Sequence, residues 1–327
     1  MADENAPADG SDRLRMPPYR DARFYQKRKK GKYRAVPAPT LEAPAVDTHC
    51  HFHLLDDPAL ELARCAVNRV EFVNLVTDPS EDGTRAFDGL DEWLQEAASI
   101  IGEIAEVAEG NPSEQTFSLP HVRITCGVHP HNARLYDSAM EERLLGLLEN
   151  PRVSALGEIG LDYHYDFSPR EDQRRVFRRQ IQLAKDVNLP IALHIREAHD
   201  EALRILQDEG MPPAGVLLHC CALPADELKP WVDAGCYIAY GGPLTFKKAD
   251  EVREAAALVP EDRLLTETDS PYMTPEPMRG VACTPAHVVF TAAKMAEVRG
   301  CAEGPAREAF LRQIMANARD LLDRSRA

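Results

Sequence analysis

Six histidine and acidic residues in this 327-residue chain each come at the end of a short apolar run. They are His49, His51, Glu158, His194, His219 and Asp269. The first two are two positions apart, so on a strand they point to the same side. Neutral imidazole and carboxylate oxygen both bind divalent ions such as zinc, manganese and magnesium. The set therefore predicts a centre for one or two divalent metal ions.

Two acidic residues of this set could take a direct part in hydrolysis. Glu158 follows the run VSALG, where an unpaired carboxylate would be unfavourable, so we expect a metal or an arginine beside it. Its two oxygens could bridge cations about 3.5–4 Å apart, a separation suited to displacement at phosphorus. A divalent cation lowers the pKa of bound water towards neutrality. Asp269, which ends the last strand-like run, is the candidate general base for that water.

These side chains need a fold that brings the ends of several strands together. From Ala45 onward, eight strand-like runs alternate with helical stretches. This alternation favours a TIM-like (β/α)8 barrel, whose strands deliver side chains to one rim. A doubly wound sheet also alternates, but it needs fewer strands and usually a glycine-rich turn where this chain has HCHFH. We therefore predict one α/β barrel over residues 45–327.

The first 44 residues differ from the rest in composition. Residues 1–40 hold ten Lys/Arg against five Asp/Glu, whereas the whole chain has a net charge of −15. The stretch is rich in proline and lacks a sustained apolar period, which predicts a flexible, disordered basic extension over residues 1–44. Its run RDARFYQKRKKGKYR could contact nucleic acid, or it could be a solvated tail.

Composition also bears on the compartment. No apolar run approaches the length that spans a bilayer, and the first residues lack the apolar stretch of a secretory signal. The eight cysteines are scattered without a CxxC pair. We therefore expect reduced thiols, a cytoplasmic location and no membrane partner.

Six segments, taken in chain order, resemble the TatD-like metal-dependent hydrolases of the amidohydrolase superfamily. They are DTHCH, GVHPH, GEIGLDYHYDFSPREDQ, LPIALHIREA, LLHCC and LLTETDSPYM. The resemblance covers roughly Val46 to Asp320 and implies a TIM-like barrel with one or two divalent metals at its C-terminal rim. It also implies hydrolysis of phosphodiester bonds in DNA, typically by a magnesium- or manganese-supported nuclease that trims 3′ ends.

The resemblance further implies how the ligands are shared. One site would be formed by His49, His51, Glu158 and Asp269, and the other by Glu158, His194 and His219, with Glu158 bridging. His129 in GVHP matches a position near the scissile phosphate, where an imidazole could hold a phosphoryl oxygen or the leaving group. The alternative for His129 is a loop residue restrained by Pro130.

Two further residues are candidates for substrate binding. Arg196 lies two positions after His194, so a continuing strand would put its guanidinium on the same side, where it could clamp a phosphate through two hydrogen bonds. Its alternative is a salt bridge with Glu197 or Glu201. Tyr163, inside the GEIGLDY motif, is a weaker candidate for contact with the substrate.

Three functions follow from these patterns. The first is a metal-dependent phosphodiesterase or deoxyribonuclease of the 3′–5′ exonuclease type, with DNA as its substrate. The second is an amide or ester hydrolase, such as a deformylase or an aminoacyl-tRNA deacylase, because the same activated water attacks a carbonyl. Related barrels often bridge their metals with a carbamylated lysine, so a glutamate in the fourth barrel strand favours the first. The third is a non-catalytic nucleic-acid-binding protein that uses the basic extension.

Overall fold

The computed structural model of the chain describes residues 15–81, 84–109 and 117–324. Two short antiparallel strands come first, β1 (Phe24–Lys27) and β2 (Tyr33–Val36). Eight parallel strands follow and pair in chain order. They are β3 (Ala45–Cys50), β4 (Val70–Thr77), β5 (His121–Cys126), β6 (Val153–Asp162), β7 (Ile191–Arg196), β8 (Val216–Leu218), β9 (Tyr237–Tyr240) and β10 (Leu264–Thr266). The eight strands predicted from the sequence are confirmed.

Helices lie between the barrel strands and after the last one. They are α1 (Pro58–Val67), α2 (Arg85–Glu109), α3 (Ser138–Leu148), α4 (Arg170–Asp186), α5 (His199–Glu209), α6 (Ala225–Asp233), α7 (Asp250–Leu258), α8 (Val288–Val298) and α9 (Gly304–Leu322). Asp57 begins α1 as its N-cap, accepting a hydrogen bond from the backbone of Leu60. Along α4, the buried residues Val176, Phe177 and Ile181 form the apolar stripe expected of a helix that covers a sheet.

The first and last barrel strands meet and nearly close the barrel. The hydroxyl of Thr48 donates to the carbonyl of Thr266 at 3.1 Å, and the hydroxyl of Thr266 donates to the carbonyl of Val46 at 2.8 Å. Just beyond the strands, the backbone N–H of Asp269 donates to the carbonyl of His49 at 2.9 Å. The fold is thus a TIM-like (β/α)8 barrel, as predicted. Its closure brings together residues 220 positions apart.

Residues 15–44, here called the N-terminal segment, fold against the barrel. The prediction of a disordered extension over residues 1–44 is therefore wrong for this part, while residues 1–14 lie outside the described residues. Phe24 is only 4% exposed, and its ring contacts the rings of His287 and Phe290, with centroids 5.0 and 4.9 Å away. These contacts join distant parts of the chain, so no local periodicity could reveal them.

Polar contacts also fasten the N-terminal segment. The buried guanidinium of Arg64 on α1 donates to the carbonyls of Asp21 and Tyr19 at 2.7 and 2.6 Å. Near the end of the segment, Glu42 accepts a hydrogen bond of 2.8 Å from Arg307 on α9. The segment thus covers one side of the barrel through both apolar and charged contacts. No helix in the described ranges is both long and apolar enough to cross a membrane.

Candidate metal centre

The six predicted ligands lie within or just after barrel strands, on the side of the barrel where the strands end. His49 lies in β3 and His194 lies in β7. His51 immediately follows β3. Glu158 lies inside the long strand β6, while His219 and Asp269 follow β8 and β10. Parallel strands of a barrel end at the same rim, so the side chains converge there. The structure thereby brings the six side chains close together, in overlapping groups whose candidate ligand atoms lie within 4.8 Å of one another.

Glu158 occupies the middle of the group. Its Oε2 lies 3.3 Å from Nε2 of His49 and 3.5 Å from Nε2 of His51. Its Oε1 lies 2.9 Å from Nε2 of His219 and 3.2 Å from Nδ1 of His194. Each carboxylate oxygen therefore faces a different pair of imidazoles, the arrangement that a carboxylate shared by two cations requires.

Asp269 completes one side of the group. Its Oδ1 lies 3.4 Å from Nε2 of His51 and 4.0 Å from Nε2 of His49. Its backbone has a φ of 57°, in the left-handed region that side-chain-bearing residues rarely adopt. We call His49, His51, Glu158 and Asp269 the β3 cluster, and Glu158, His194 and His219 the β7 cluster.

Electrostatics keep both carboxylates ionised. Burial alone would raise the pKa of Glu158, but the adjacent His49 and His219 lower it well below its ordinary value. Burial alone would also raise the pKa of Asp269, but hydrogen bonding to His51 lowers it below the ordinary value. Burial also lowers the pKa of His49, which favours its neutral form. Burial would likewise lower the pKa values of the other three ligand histidines, but the facing carboxylates raise them above the ordinary value, so a bound cation would displace protons from these rings.

The residues present fit a divalent ion. Both ring nitrogens of His49 and Nδ1 of His219 are buried without a hydrogen-bond partner in the described part of the chain, an arrangement rare for buried polar atoms. Two ligands that each lie about 2.1 Å from a tetrahedral zinc are about 3.4 Å apart. The separations of Nε2 of His51 from Glu158 and Asp269, at 3.5 and 3.4 Å, match this value. These residues could therefore hold a metal ion.

Glycines on either side of Glu158 allow the strands to approach. Gly160 has a φ of 145°, and a Cβ there would lie 2.1 Å from the carbonyl oxygen of His194. A Cβ at Gly157 would lie 2.7 Å from the carbonyl oxygen of Ala192. Only glycine avoids these overlaps, so the GEIG motif places Glu158 where β6 approaches β7 most closely.

A buried carboxylate that the sequence analysis gave no role, Asp162, supports the β7 cluster. Its Oδ2 accepts hydrogen bonds from Nε2 of His194 at 3.0 Å and from Nε2 of His131 at 2.8 Å. Burial alone would raise the pKa of Asp162, but these two histidines lower it far below its ordinary value. In the neutral form that binds a metal, with its proton on Nε2, His194 would present the lone pair of Nδ1 to the side of Glu158. A carboxylate behind a metal-binding histidine commonly fixes its tautomer in this way.

Two more acidic residues support the ligands. Asp47 accepts hydrogen bonds from the backbone N–H groups of His49 and Thr268, at 3.2 and 2.9 Å, and ties the start of the barrel to its end. Glu267 has an oxygen 3.6 Å from Nδ1 of His219. The alternation of strand side chains was a signal for both, since each lies two positions before a candidate ligand.

His129 lies beside the β7 cluster. Its ring centroid is 4.3 Å from that of His194, and its backbone N–H donates to Asp78 at 2.8 Å. Burial, together with the nearby His194, lowers the pKa of His129 well below its ordinary value, so the ring is neutral. Its Nδ1 accepts a hydrogen bond from the backbone of His131 at 3.1 Å. The proton therefore resides on Nε2, where it can be donated to an oxygen.

The Arg196 guanidinium lies 4.7 Å from the centroid of the Tyr165 ring. The salt bridge considered as the alternative is not formed, because Glu197 pairs with His164 and Glu201 lies within 3.8 Å of Arg174. Within the described ranges, Arg196 has no ion-pair partner at all. The guanidinium thus has free N–H groups for an anion.

Tyr163, which directly follows β6, is engaged by side chains of α4 and α5. Its hydroxyl donates to Glu201 at 2.8 Å and accepts from Arg174 at 3.2 Å, while the guanidinium of Arg170 lies 4.2 Å from its ring centroid. These contacts join α4 to α5. The structure gives Tyr163 a packing role, and its contact with a substrate stays a prediction.

Comparison with known proteins identifies the family. The model of the TatD-related DNase family matches residues 46–323, so the chain belongs to this family and is a metal-dependent hydrolase. The uncharacterized metal-dependent hydrolase YabD of Bacillus subtilis is 42% identical over 219 residues, which cover 64% of this chain and 85% of that protein. The 3′-5′ ssDNA/RNA exonuclease TatD of Escherichia fergusonii is 36% identical over 186 residues, covering 55% and 71%.

A solved structure shows the same fold. The crystal structure of YjjV, a TatD homologue from Escherichia coli K12, matches with a TM-score of 0.70 at 24% identity. The match covers 86% of this chain and 98% of that chain.

Proposed function

We propose that this protein is a divalent-metal-dependent nuclease that hydrolyses phosphodiester bonds in single-stranded DNA, starting from the 3′ end. The observation that carries the proposal is the position of Glu158, whose two oxygens face separate histidine pairs. A carboxylate shared by two cations suits displacement at phosphorus. Relatives named as 3′-5′ ssDNA/RNA exonucleases support the choice of substrate.

The two clusters would hold the metal ions. The β3 cluster offers two imidazoles and two carboxylates, and the β7 cluster offers two imidazoles and the second oxygen of Glu158. Magnesium, manganese and zinc all accept such mixed ligands. When bound, the ions would supply Lewis-acid activation of water and of a phosphoryl oxygen.

The protein's own side chains would then handle protons and orientation. Asp269 is ionised and lies at the rim, so its carboxylate can accept the proton of the attacking water. His129 can donate the proton on Nε2 to a phosphoryl oxygen or to the leaving oxygen. Arg196 can bind a phosphate through two N–H groups, because no carboxylate in the described ranges occupies them.

The test uses protein stripped of metal with a chelator and then supplied with Mg²⁺, Mn²⁺ or Zn²⁺ in turn. A 5′-labelled single-stranded oligonucleotide should be converted to a ladder of products shortened at the 3′ end. Glu158→Gln should lower the rate by more than the roughly 100-fold typical of losing a partner behind a ligand. Glu209→Gln is the matched control, because Glu209 pairs with Arg178 on the outer helices. Metal-loaded protein that leaves DNA intact but cleaves a formyl-amide or an aminoacyl ester would instead identify a carbonyl hydrolase.

We also propose that the β1–β2 hairpin contacts the nucleic-acid backbone. Its exposed basic residues are Lys27, Arg28, Lys29, Lys30, Lys32 and Arg34. The hairpin is fastened to the segment after β10, since the amide of Gln26 donates to the carbonyl of Pro277 at 2.7 Å. Replacing Lys27, Lys29 and Lys30 by Gln should make the affinity for single-stranded DNA less dependent on salt, because fewer phosphates are neutralised. An unchanged salt dependence would contradict this contact.

A cytoplasmic location is proposed as well. All eight cysteines are free thiols, and six of them are buried. Thiols persist in reducing compartments, which supports this location. Cell fractionation is the measurement that checks it, and recovery outside the cytoplasmic fraction would contradict it.

A further inference from the structure

One exposed aromatic residue, Phe167, and one half-buried aromatic residue, Tyr165, lie at the rim in the loop between β6 and α4. The rings of Tyr165 and Phe167 stack with centroids 5.3 Å apart and an angle of 15° between their planes. Phe167 is 57% exposed, which is unusual for so large an apolar side chain. We call these two residues the aromatic ledge.

The aromatic ledge is continuous with the β7 cluster. The His131 ring contacts Phe167 edge to face, with centroids 4.8 Å apart, and it also contacts Tyr165 at 5.6 Å. Nε2 of His131 donates to the same oxygen of Asp162 that accepts Nε2 of His194. One imidazole and one carboxylate therefore separate the exposed ring from a candidate metal ligand.

The positive charge of Arg196 beside the aromatic ledge suits the phosphate of a nucleotide. The Arg196 guanidinium lies 4.7 Å from the Tyr165 ring centroid and has no ion-pair partner in the described part of the chain. A planar cation next to stacked rings can bind a phosphate while a base stacks alongside. The whole chain has a net charge of −15, so the unpaired guanidinium gives the rim a local positive charge that can attract a phosphate.

We propose that the aromatic ledge stacks one unpaired nucleobase of the substrate next to the scissile phosphate, while Arg196 binds a flanking phosphate. This rests on the proposed function and adds to it a contact of the protein with an unpaired base of the single strand. A base within a duplex is already stacked on both sides, so its ring face is not open to Phe167. Because every base has such a face, the ledge gives preference for unpaired strands without preference for sequence.

The test pairs a protein change with a substrate change. Phe167→Ala and the conservative Phe167→Tyr are compared on two oligonucleotides that differ only in abasic sites at the two 3′-terminal nucleotides. On the normal oligonucleotide, Phe167→Ala should raise KM roughly 5- to 150-fold, the range found for losing one stacked base, and Phe167→Tyr should restore it. On the abasic oligonucleotide, wild type and Phe167→Ala should be equal. Equal effects of Phe167→Ala on both oligonucleotides would overturn the proposal.

A binding measurement separates this proposal from the proposed function. In the Glu158→Gln background, an oligonucleotide with 2-aminopurine near its 3′ end should be quenched on binding, and additional Phe167→Ala should remove the quenching. Failure of wild type to cleave DNA, with quenching retained, would reject the nuclease but keep the base-stacking site. Cleavage without any dependence on Phe167 would reject the site but keep the nuclease. Thermal unfolding should be the same for all Phe167 variants, because the side chain is exposed.

Discussion

The rim of the barrel buries carboxylates and imidazoles against one another, whereas the N-terminal segment packs aromatic rings against the barrel and pairs its buried carboxylate, Asp21. At the rim, ring nitrogens of His49 and His219 lack partners among the described residues, and Asp269 has a left-handed backbone. In the N-terminal segment, the hydroxyl of Tyr25 donates to the buried Asp21 at 2.6 Å. Unpaired polar atoms and backbone strain destabilise a fold and often mark functional sites. The rim, where titratable side chains cluster, is therefore the candidate site of chemistry, while the N-terminal segment packs against the barrel.

The largest expected effect is a difference in the free energy of unfolding between alanine variants of two phenylalanines, Phe24 and Phe167. Phe24→Ala should lower the free energy of unfolding by about 3–5 kcal/mol, because it removes a ring packed against His287 and Phe290. Phe167→Ala, the same change at the 57% exposed position, should alter it by less than about 0.5 kcal/mol. Urea denaturation of the two variants measures both values.

The two variants should rank in the reverse order when activity is measured, with Phe167→Ala impaired and Phe24→Ala unaffected. Phe24→Ala protein, assayed where it is folded, should cleave DNA at the wild-type rate, because Phe24 contacts α8 and the turn before it rather than the rim ligands. If Phe24→Ala lowered turnover of folded protein as strongly as it lowered stability, the separation between the two regions would not hold.

An intermediate effect is expected on metal affinity, which should differ between asparagine variants of two buried aspartates, Asp162 and Asp21. Asp162→Asn should weaken metal binding about 10- to 100-fold, or about 1.4–2.7 kcal/mol, because a neutral amide no longer holds the Nε2 proton of His194 firmly. Calorimetric titration of metal-free protein with Mn²⁺ or Zn²⁺ provides the affinity. Asp21→Asn is the matched control in the N-terminal segment and should leave the affinity unchanged. Equal metal affinities for the two variants would show that Asp162 does not support the metal centre.

The smallest effect concerns pH and the end of the N-terminal segment. Hydrogen bonding to Arg307 lowers the pKa of Glu42 from 4.5 to about 2. A carboxylate whose pKa is lower in the folded state stabilises that state above its ordinary pKa, and the contribution is lost as pH falls towards 2. Wild type should therefore be slightly more stable than Glu42→Gln at pH 6, and the difference should shrink between pH 4.5 and about 2. Arg307→Gln should show the same profile in thermal unfolding, and a difference that grew on acidification would contradict the assignment.

Much of the fold could be predicted because its signals are local. The eight barrel strands appear as short apolar runs, and the stripe of Val176, Phe177 and Ile181 on α4 follows the helical period. The ligand positions could be predicted for the same reason. Each lies where an apolar run ends, and parallel strands of a barrel end at one rim.

Other features had no local signal. The N-terminal segment lacks a periodic pattern, and its order comes from surfaces that Arg64 and Phe290 provide only after the barrel has formed. The role of Asp162 depends on two histidines 31 and 32 positions away in sequence. The aromatic ledge likewise could not be separated from ordinary loop aromatics without its exposure.

The sequence by itself determined the barrel and the family and indicated the candidate donor residues, because periodicity and motif chemistry reside in neighbouring residues. The tertiary structure alone decided which donors face which oxygen of Glu158, which carboxylate fixes His194, and where Arg196 has no partner. These relations depend on distances between strands, and closure of the barrel sets those distances through contacts between residues far apart in the chain.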